Sequence, residues 1–367
     1  MRYVDEFRAV DSVQRLAEEI RKTTIQHWSV MEVCGGQTHA IMRYGLQELL
    51  PEEITLLHGP GCPVCVTPQS YIDKAIEIAL LPDVVFCTFG DMLRVPSGDS
   101  DLAQAKARGG DVRVVYSPVD AVEVARVNPD KDVVFFAVGF ETTAPANALA
   151  VRRAKDEGLT NFSLLVSQVL VPPALLALLS QPDCRIDAFL AAGHVCAVAG
   201  LDAYHAIAEK HHTPIVATGF EPADILRGVL HAVRQLEAGE AFVENSYERA
   251  VAQQGNKTAQ ALMMEIFEIA PKEWRGMGVI PASGLALNAA HADFDAERRF
   301  GAIGAAPRRD CGCISGAILQ GVKRPPDCPR FATSCTPDNP IGVTMASMEG
   351  ACSAYYQYRE GGSGHER

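Results

Sequence analysis

Seven of the eleven cysteines in this 367-residue chain fall into three compact motifs, and each motif suits a different chemistry. Cys34 opens the run Cys34-Gly35-Gly36-Gln37-Thr38-His39. Cys62 and Cys65 form a Cys-Pro-Val-Cys pair inside Gly59-Pro60-Gly61-Cys62-Pro63-Val64-Cys65. Cys311, Cys313, Cys328 and Cys335 cluster toward the carboxyl end. Thiolates bind soft metals and exchange electrons, so a lone thiol, a dithiol and a four-thiol set together point to metal and sulfur chemistry.

Each motif carries its own local reading. Cys34 ends an apolar run, Gly35 and Gly36 permit a tight turn, and Thr38 can cap the following helix. That places the thiol at a helix N-terminus, where the dipole favours thiolate, with His39 in the first helical turn beside it. The thiol is then a metal ligand or nucleophile, or else a buried core cysteine. Cys62 and Cys65 have dithiol spacing just before a helix start at Thr67-Pro68. They read as a reversible disulfide, half of a zinc site, or two turn residues. Cys311-Gly312-Cys313, Cys328 and Cys335 can supply four thiolates to zinc or to a 4Fe–4S cluster, with Cys352 as a fifth candidate. Asp91 and Glu141 each follow a strand end, where a carboxylate serves as acid, base or ligand, or merely complements a helix dipole. His194, after Gly193, faces the same kind of position. No G-x-x-x-x-G-K-[ST] run is present, so a P-loop nucleotide site is not supported.

The elements that must hold these residues follow from the apolar pattern. Runs at Ser29–Val33, Ile54–Leu57, Val84–Phe89 and Val112–Tyr116 alternate with helical stretches. A second series follows at Val133–Val138, Phe162–Val166, Ala188–Ala192 and Pro214–Ala217. Such alternation signals parallel βαβ units, with sites at the carboxyl ends of strands. The expected fold is α/β, with two Rossmann-like domains of similar plan. Residues 25–120 form the first and hold Cys34 and the Cys62/Cys65 pair; residues 121–240 form the second. A cysteine-rich loop and helix domain covers 241–367, on which the helix within residues 1–24 can pack. Ala241–Ile269 reads as helical, and few strands are legible beyond Pro271. The formal charge of −12 argues against a nucleic-acid binder, and no apolar run of 18 residues or signal-peptide core is present. Those features predict a cytoplasmic protein, in whose reducing surroundings grouped cysteines are metal or redox sites before they are disulfides.

Together these residues resemble the HypD family of NiFe-hydrogenase maturation factors. The similarity runs through Cys34–His39, Gly59–Pro68, Phe89–Pro96, Gly139–Thr143, Gly193-His194, Gly219–Pro222, Pro281–Leu285 and Cys311 to Gly350. It implies an assembly scaffold rather than a turnover enzyme. Its partners would be a HypC-type small chaperone, HypE as cyanide donor, and the hydrogenase large subunit as acceptor of an Fe(CN)2CO unit. Carried onto this sequence, Cys34 would hold that iron, with His39 beside it. Cys62 and Cys65 would be the redox pair, and Cys311, Cys313, Cys328 and Cys335 would bind a 4Fe–4S cluster. Asp91 and Glu141 would line the cleft, and electrons would pass from the cluster through the dithiol to Cys34. The family often carries a Pro-Cys pair after the glycine at Gly342. Val343 and Thr344 stand there instead, which leaves Cys352 as the alternative fourth ligand. The competing classes are an iron–sulfur thiol–disulfide oxidoreductase and a zinc-stabilised binding module.

Overall fold

The apolar runs become the strands of two parallel sheets in the computed structural model, which describes residues 5–98, 100–301 and 312–358. In chain order the strands are β1 (Trp28–Glu32), β2 (Ile54–His58), β3 (Val84–Thr88), β4 (Asp111–Val114), β5 (Asp132–Gly139) and β6 (Phe162–Gln168). They continue with β7 (Ala188–Ala192), β8 (Ile215–Thr218), β9 (Val243–Asn245), β10 (Phe267–Trp274) and β11 (Gly278–Leu287). Every residue of β3, β6 and β7 is buried. Helices cover both faces of a parallel sheet, which is why these strands read as continuous apolar runs rather than alternating ones.

The division at residues 120 and 121 does not hold. One sheet has the order β2-β1-β7-β8-β9 and the other β4-β3-β5-β6. The chain leaves the first sheet after β2, builds the whole second sheet, and returns at β7. β1 pairs with β7 in register Val30↔Ala188. Both sheets share one plan: a βαβ step in one direction, then a reversal and growth the other way. The reversals fall between β1 and β7 and between β3 and β5. Open α/β sheets form their ligand crevices at the carboxyl ends of such strand pairs.

The remaining parts dress this frame. Helix Val10–Thr23 buries Ala17 and Ile20 on Ile225, Leu226, Val229 and Val233 of helix Pro222–Ala238, so it belongs to the first sheet and not to the cysteine-rich region. The 241–269 stretch is mixed: only Lys257–Ile266 is helical, β9 precedes it, and β10 begins at Phe267. β10 and β11 form an antiparallel hairpin. Its pattern is broken by Pro271, which sits where the register shifts between Ala270 and Lys272. A proline there costs no ladder bond, and the interruption hides the strand. The C-terminal residues 312–358 form short helices, Ser315–Leu319, Val343–Ala346 and Ala351–Tyr358. Their small core is built from Ile318, Cys335, Met345, Ala351 and Cys352.

Candidate functional site

Cys34 immediately follows β1 (with only Val33 between) and is the N-cap of helix Gly35–Arg43. His194 follows β7 at the start of helix Gly193–Ala199. The first reversal therefore brings them together, with Cys34 Sγ 3.8 Å from His194 Nδ1. Phe220 packs its ring on the His194 imidazole at 5.2 Å between centroids, and Tyr247 meets Phe220 edge-on. The thiol is 2% exposed. Burial pushes it well above the ordinary range, and the charges of Glu32 and Glu349 add to the rise. Backbone N–H groups of Gln37 and Gly36 pull the other way. The expected helix-terminus thiolate is thus reversed: desolvation outweighs the dipole, and the free thiol keeps its proton until a cation replaces it. Burial also holds His194 below its usual range, so its imidazole stays neutral and can accept that proton.

His39 does not stand beside Cys34. Five residues past the N-cap, it is rotated about 140° around the helix, and its Nε2 lies 2.9 Å from the Tyr358 hydroxyl.

The Cys62/Cys65 loop lies against Cys34. Gly35 N–H donates to the Gly61 carbonyl at 2.9 Å, and Gly59 N–H to the Glu32 carbonyl at 2.8 Å. Any side chain on Gly61 would put its Cβ 2.0 Å from the Cys34 nitrogen, so only glycine allows this approach. Cys62 is the N-cap of the single turn Pro63–Val66, and its Sγ accepts from Cys65 N–H at 3.2 Å. Both are free thiols. Burial, then the neighbouring Cys62, pushes the Cys65 thiol up. The dithiol also touches the C-terminal region: Cys62 Sγ lies 3.3 Å from Ser347 Oγ, and Cys65 Sγ lies 4.0 Å from the Val343 carbonyl.

Thr344, in that same segment, lines a small cavity together with Cys313, Cys328, Cys335 and Cys352. Cys311 lies outside the described residues. Burial pushes the Cys352 thiol up to about 12. The Thr344 hydroxyl, 3.1 Å from its sulfur, opposes this, and the other three thiols add to it. Gly342 leaves room for the Cys313 sulfur, which a Cβ there would meet at 2.3 Å. Among the described residues no three His, Cys, Asp or Glu side chains converge on one ion-sized point. Four thiols around a cavity suit a polynuclear cluster, whose ligands surround a volume, better than a tetrahedral zinc at about 2.3 Å from each sulfur.

The two carboxylates at the second reversal differ. Asp91, exposed in the turn Gly90–Met92, faces Glu349, whose carboxyl is raised by desolvation and by Asp91's like charge. The Glu349 backbone in turn presses on Gly35, so Asp91 looks toward the Cys34 side of the groove. Glu141 is turned inward. Its Oε1 accepts from Val171 N–H at 3.0 Å, its Oε2 has no protein partner, and Cys196 and Tyr204 lie within reach of its charge. Burial raises its carboxyl from 4.5 to about 7. The folded chain therefore holds this proton more tightly than the unfolded chain, and stability is lost as pH rises from about 4.5 to about 7. Relative to Glu141→Gln, wild type should lose about 3 kcal/mol across that window. Urea midpoints at pH 5 and 8 check this; parallel profiles for the two proteins would contradict it.

Sequence reasoning assigned no role to Glu349 and Ser347, although both fall within the Cys311–Gly350 stretch; they reach the site from a loop more than 280 residues away. It also passed over Glu32 and His58, although a polar residue closing an otherwise apolar strand was the available signal.

Comparison with known proteins identifies the family. The HypD family model, described as the hydrogenase formation hypA family, matches residues 11–359. The hydrogenase maturation factor HypD of Rhodobacter capsulatus is 47% identical over 371 residues, covering 98% of this chain and 98% of its own. That of Azotobacter vinelandii is 48% identical over 367 residues, with 98% and 97% covered. That of Escherichia coli (strain K12) is 47% identical over 371 residues, with 98% and 99% covered. With matches of this extent, the chain belongs to the HypD family of hydrogenase maturation factors.

Proposed function

We propose that this chain serves hydrogenase maturation as a cytoplasmic scaffold, on which a single iron receives its cyanide and carbonyl ligands before delivery to a hydrogenase large subunit. The iron is cargo. Cys34 holds it together with the N-terminal cysteine of a HypC-type chaperone, and HypE is the cyanide donor. The observation that carries this reading is the setting of Cys34: a buried, protonated thiol at a sheet reversal, 3.8 Å from a neutral imidazole. When iron binds, the thiol loses its proton, and His194 is placed to take it.

Cys313, Cys328, Cys335 and Cys352 would hold a 4Fe–4S cluster. Their donor type, their shared cavity and the room left by Gly342 fit that group. When bound, the cluster supplies one-electron chemistry. Cys62 and Cys65 would form a reversible disulfide by exchange: their two sulfurs join, and the two electrons and two protons pass to a partner disulfide, which opens to two thiols. The contacts of this pair with Val343 and Ser347 also support a second reading, an iron–sulfur thiol–disulfide oxidoreductase. Turnover of dithiol substrates without a chaperone would favour that class.

Anaerobic co-purification with the small chaperone tests the scaffold reading. Infrared spectra of the complex should carry cyanide and carbonyl stretches. An iron-loaded complex without those bands would overturn it.

A further inference from the structure

Glu32 closes β1 with its side chain fully buried, yet none of its polar capacity is wasted. Its Oε2 accepts from Cys34 N–H at 2.9 Å, and its Oε1 accepts from the Thr38 hydroxyl and from His58 Nδ1, the latter at 2.7 Å. His58 closes β2 and is the register partner of Glu32. The far side of its ring lies 3.1 Å, through Nε2, from the Tyr355 hydroxyl, and the two rings meet edge-on. Gln47 Nε2 donates to that hydroxyl at 3.3 Å. His58 Nδ1–H donates to Glu32, and Gln47 Nε2 also lies 3.2 Å from His58 Nε2, so Tyr355 and Gln47 together hold the far side of the ring. Tyr355 lies on helix Ala351–Tyr358, three residues from Cys352 and so on the same face. An unbroken chain of hydrogen bonds, buried at Glu32 and His58 and half-buried at Tyr355, therefore joins the helix that lines the thiol cavity to the backbone of Cys34, across more than 300 residues of sequence.

We propose that Tyr355, acting through His58 and Glu32, is a positioning residue for Cys34, so that the seating of the C-terminal helix sets how firmly the Cys34 turn is held. The Cys34 N–H has no intrahelical acceptor, because it stands at the helix N-cap; Glu32 supplies one. Glu32 is aimed at it because His58 holds the other carboxylate oxygen, and the ring of His58 is oriented by Tyr355 together with Gln47. Thr38 is a second anchor on Glu32, so losing Tyr355 loosens the turn without releasing it. The inference rests on Cys34 being the working thiol, but its test needs no iron.

The test is the rate of iodoacetamide labelling of Cys34 in the full-length protein, read peptide by peptide, with half-buried Cys184 as internal standard. Tyr355→Phe, which removes one hydroxyl, should label Cys34 about fivefold faster than wild type, the equivalent of one hydrogen bond. Tyr358→Phe is the control. It removes the hydroxyl that pairs with His39 on the same helix but does not touch the chain, and should leave the rate within about twofold. Unchanged labelling in Tyr355→Phe, or equal acceleration in both variants, overturns the proposal, since the latter would mean simple loosening of the helix. His58→Gln carries the same expectation should Tyr355→Phe fail to accumulate as folded protein. Iron retention by Cys34→Ala would refute the iron assignment and leave these rates unaffected. Equal rates would refute the coupling and leave the iron assignment intact.

Discussion

Cys352→Ser should strip the iron–sulfur absorption from the anaerobically purified protein, while Cys311→Ser should keep it. The sequence alone favours the opposite choice, because Cys311 and Cys313 stand two apart and Cys352 lies alone. Cys311 lies outside the described residues; among those described, Cys352 lines the cavity with Cys313, Cys328 and Cys335, and burial followed by those three thiols raises its pKa, which supports it as the fourth donor. Serine keeps the size and removes the soft donor. Loss of an outer-shell partner already costs a metal site about 10–100-fold in affinity, and a direct ligand should cost at least that. Iron and sulfide analysis beside the visible spectrum measures both variants. A Cys352→Ser protein with wild-type iron would return the fourth position to Cys311.

Cys34→Ala should abolish hydrogenase maturation and remove the cyanide and carbonyl stretches, yet retain the cluster absorption and the fold. The thiol is buried, so its loss leaves a small void costing on the order of 1 kcal/mol, which a domain of this size tolerates. His194 stays at its place on β7's carboxyl end but has lost the proton donor it serves. The expected pattern is thus full loss of function with only a small shift in urea midpoint. Infrared bands persisting in the variant complex would contradict the assignment.

The sequence showed the strands but not the sheets they join. Val84–Thr88, Phe162–Val166 and Ala188–Ala192 are legible because a fully buried strand has no polar face to interrupt it. Their grouping is not, because the β1–β7 pairing has no local signature and is settled only by which helices must be covered. His39 was preferred over His194 for the same reason. Nearness in sequence suggested a neighbour, whereas helix rotation sends His39 to Tyr358 and topology brings His194 in from β7. The hairpin β10–β11 was obscured by Pro271 and Pro281, which interrupt the alternation that marks a strand. Cys34, Cys62 and Cys65 were placed at strand ends correctly, since a glycine-rich turn after an apolar run has few other meanings.

The long excursion between β2 and β7 also bears on how the protein is made. His194 is translated 160 residues after Cys34, which at ordinary rates of synthesis is about 10–30 seconds. Throughout that time the nascent chain carries the nucleophilic thiol without its imidazole neighbour, and Ser347 and Tyr355 arrive later still. A prematurely terminated product would contain every motif of the amino-terminal half and no working pocket. Completion of the Cys34 pocket is in this way deferred until the ribosome has nearly finished.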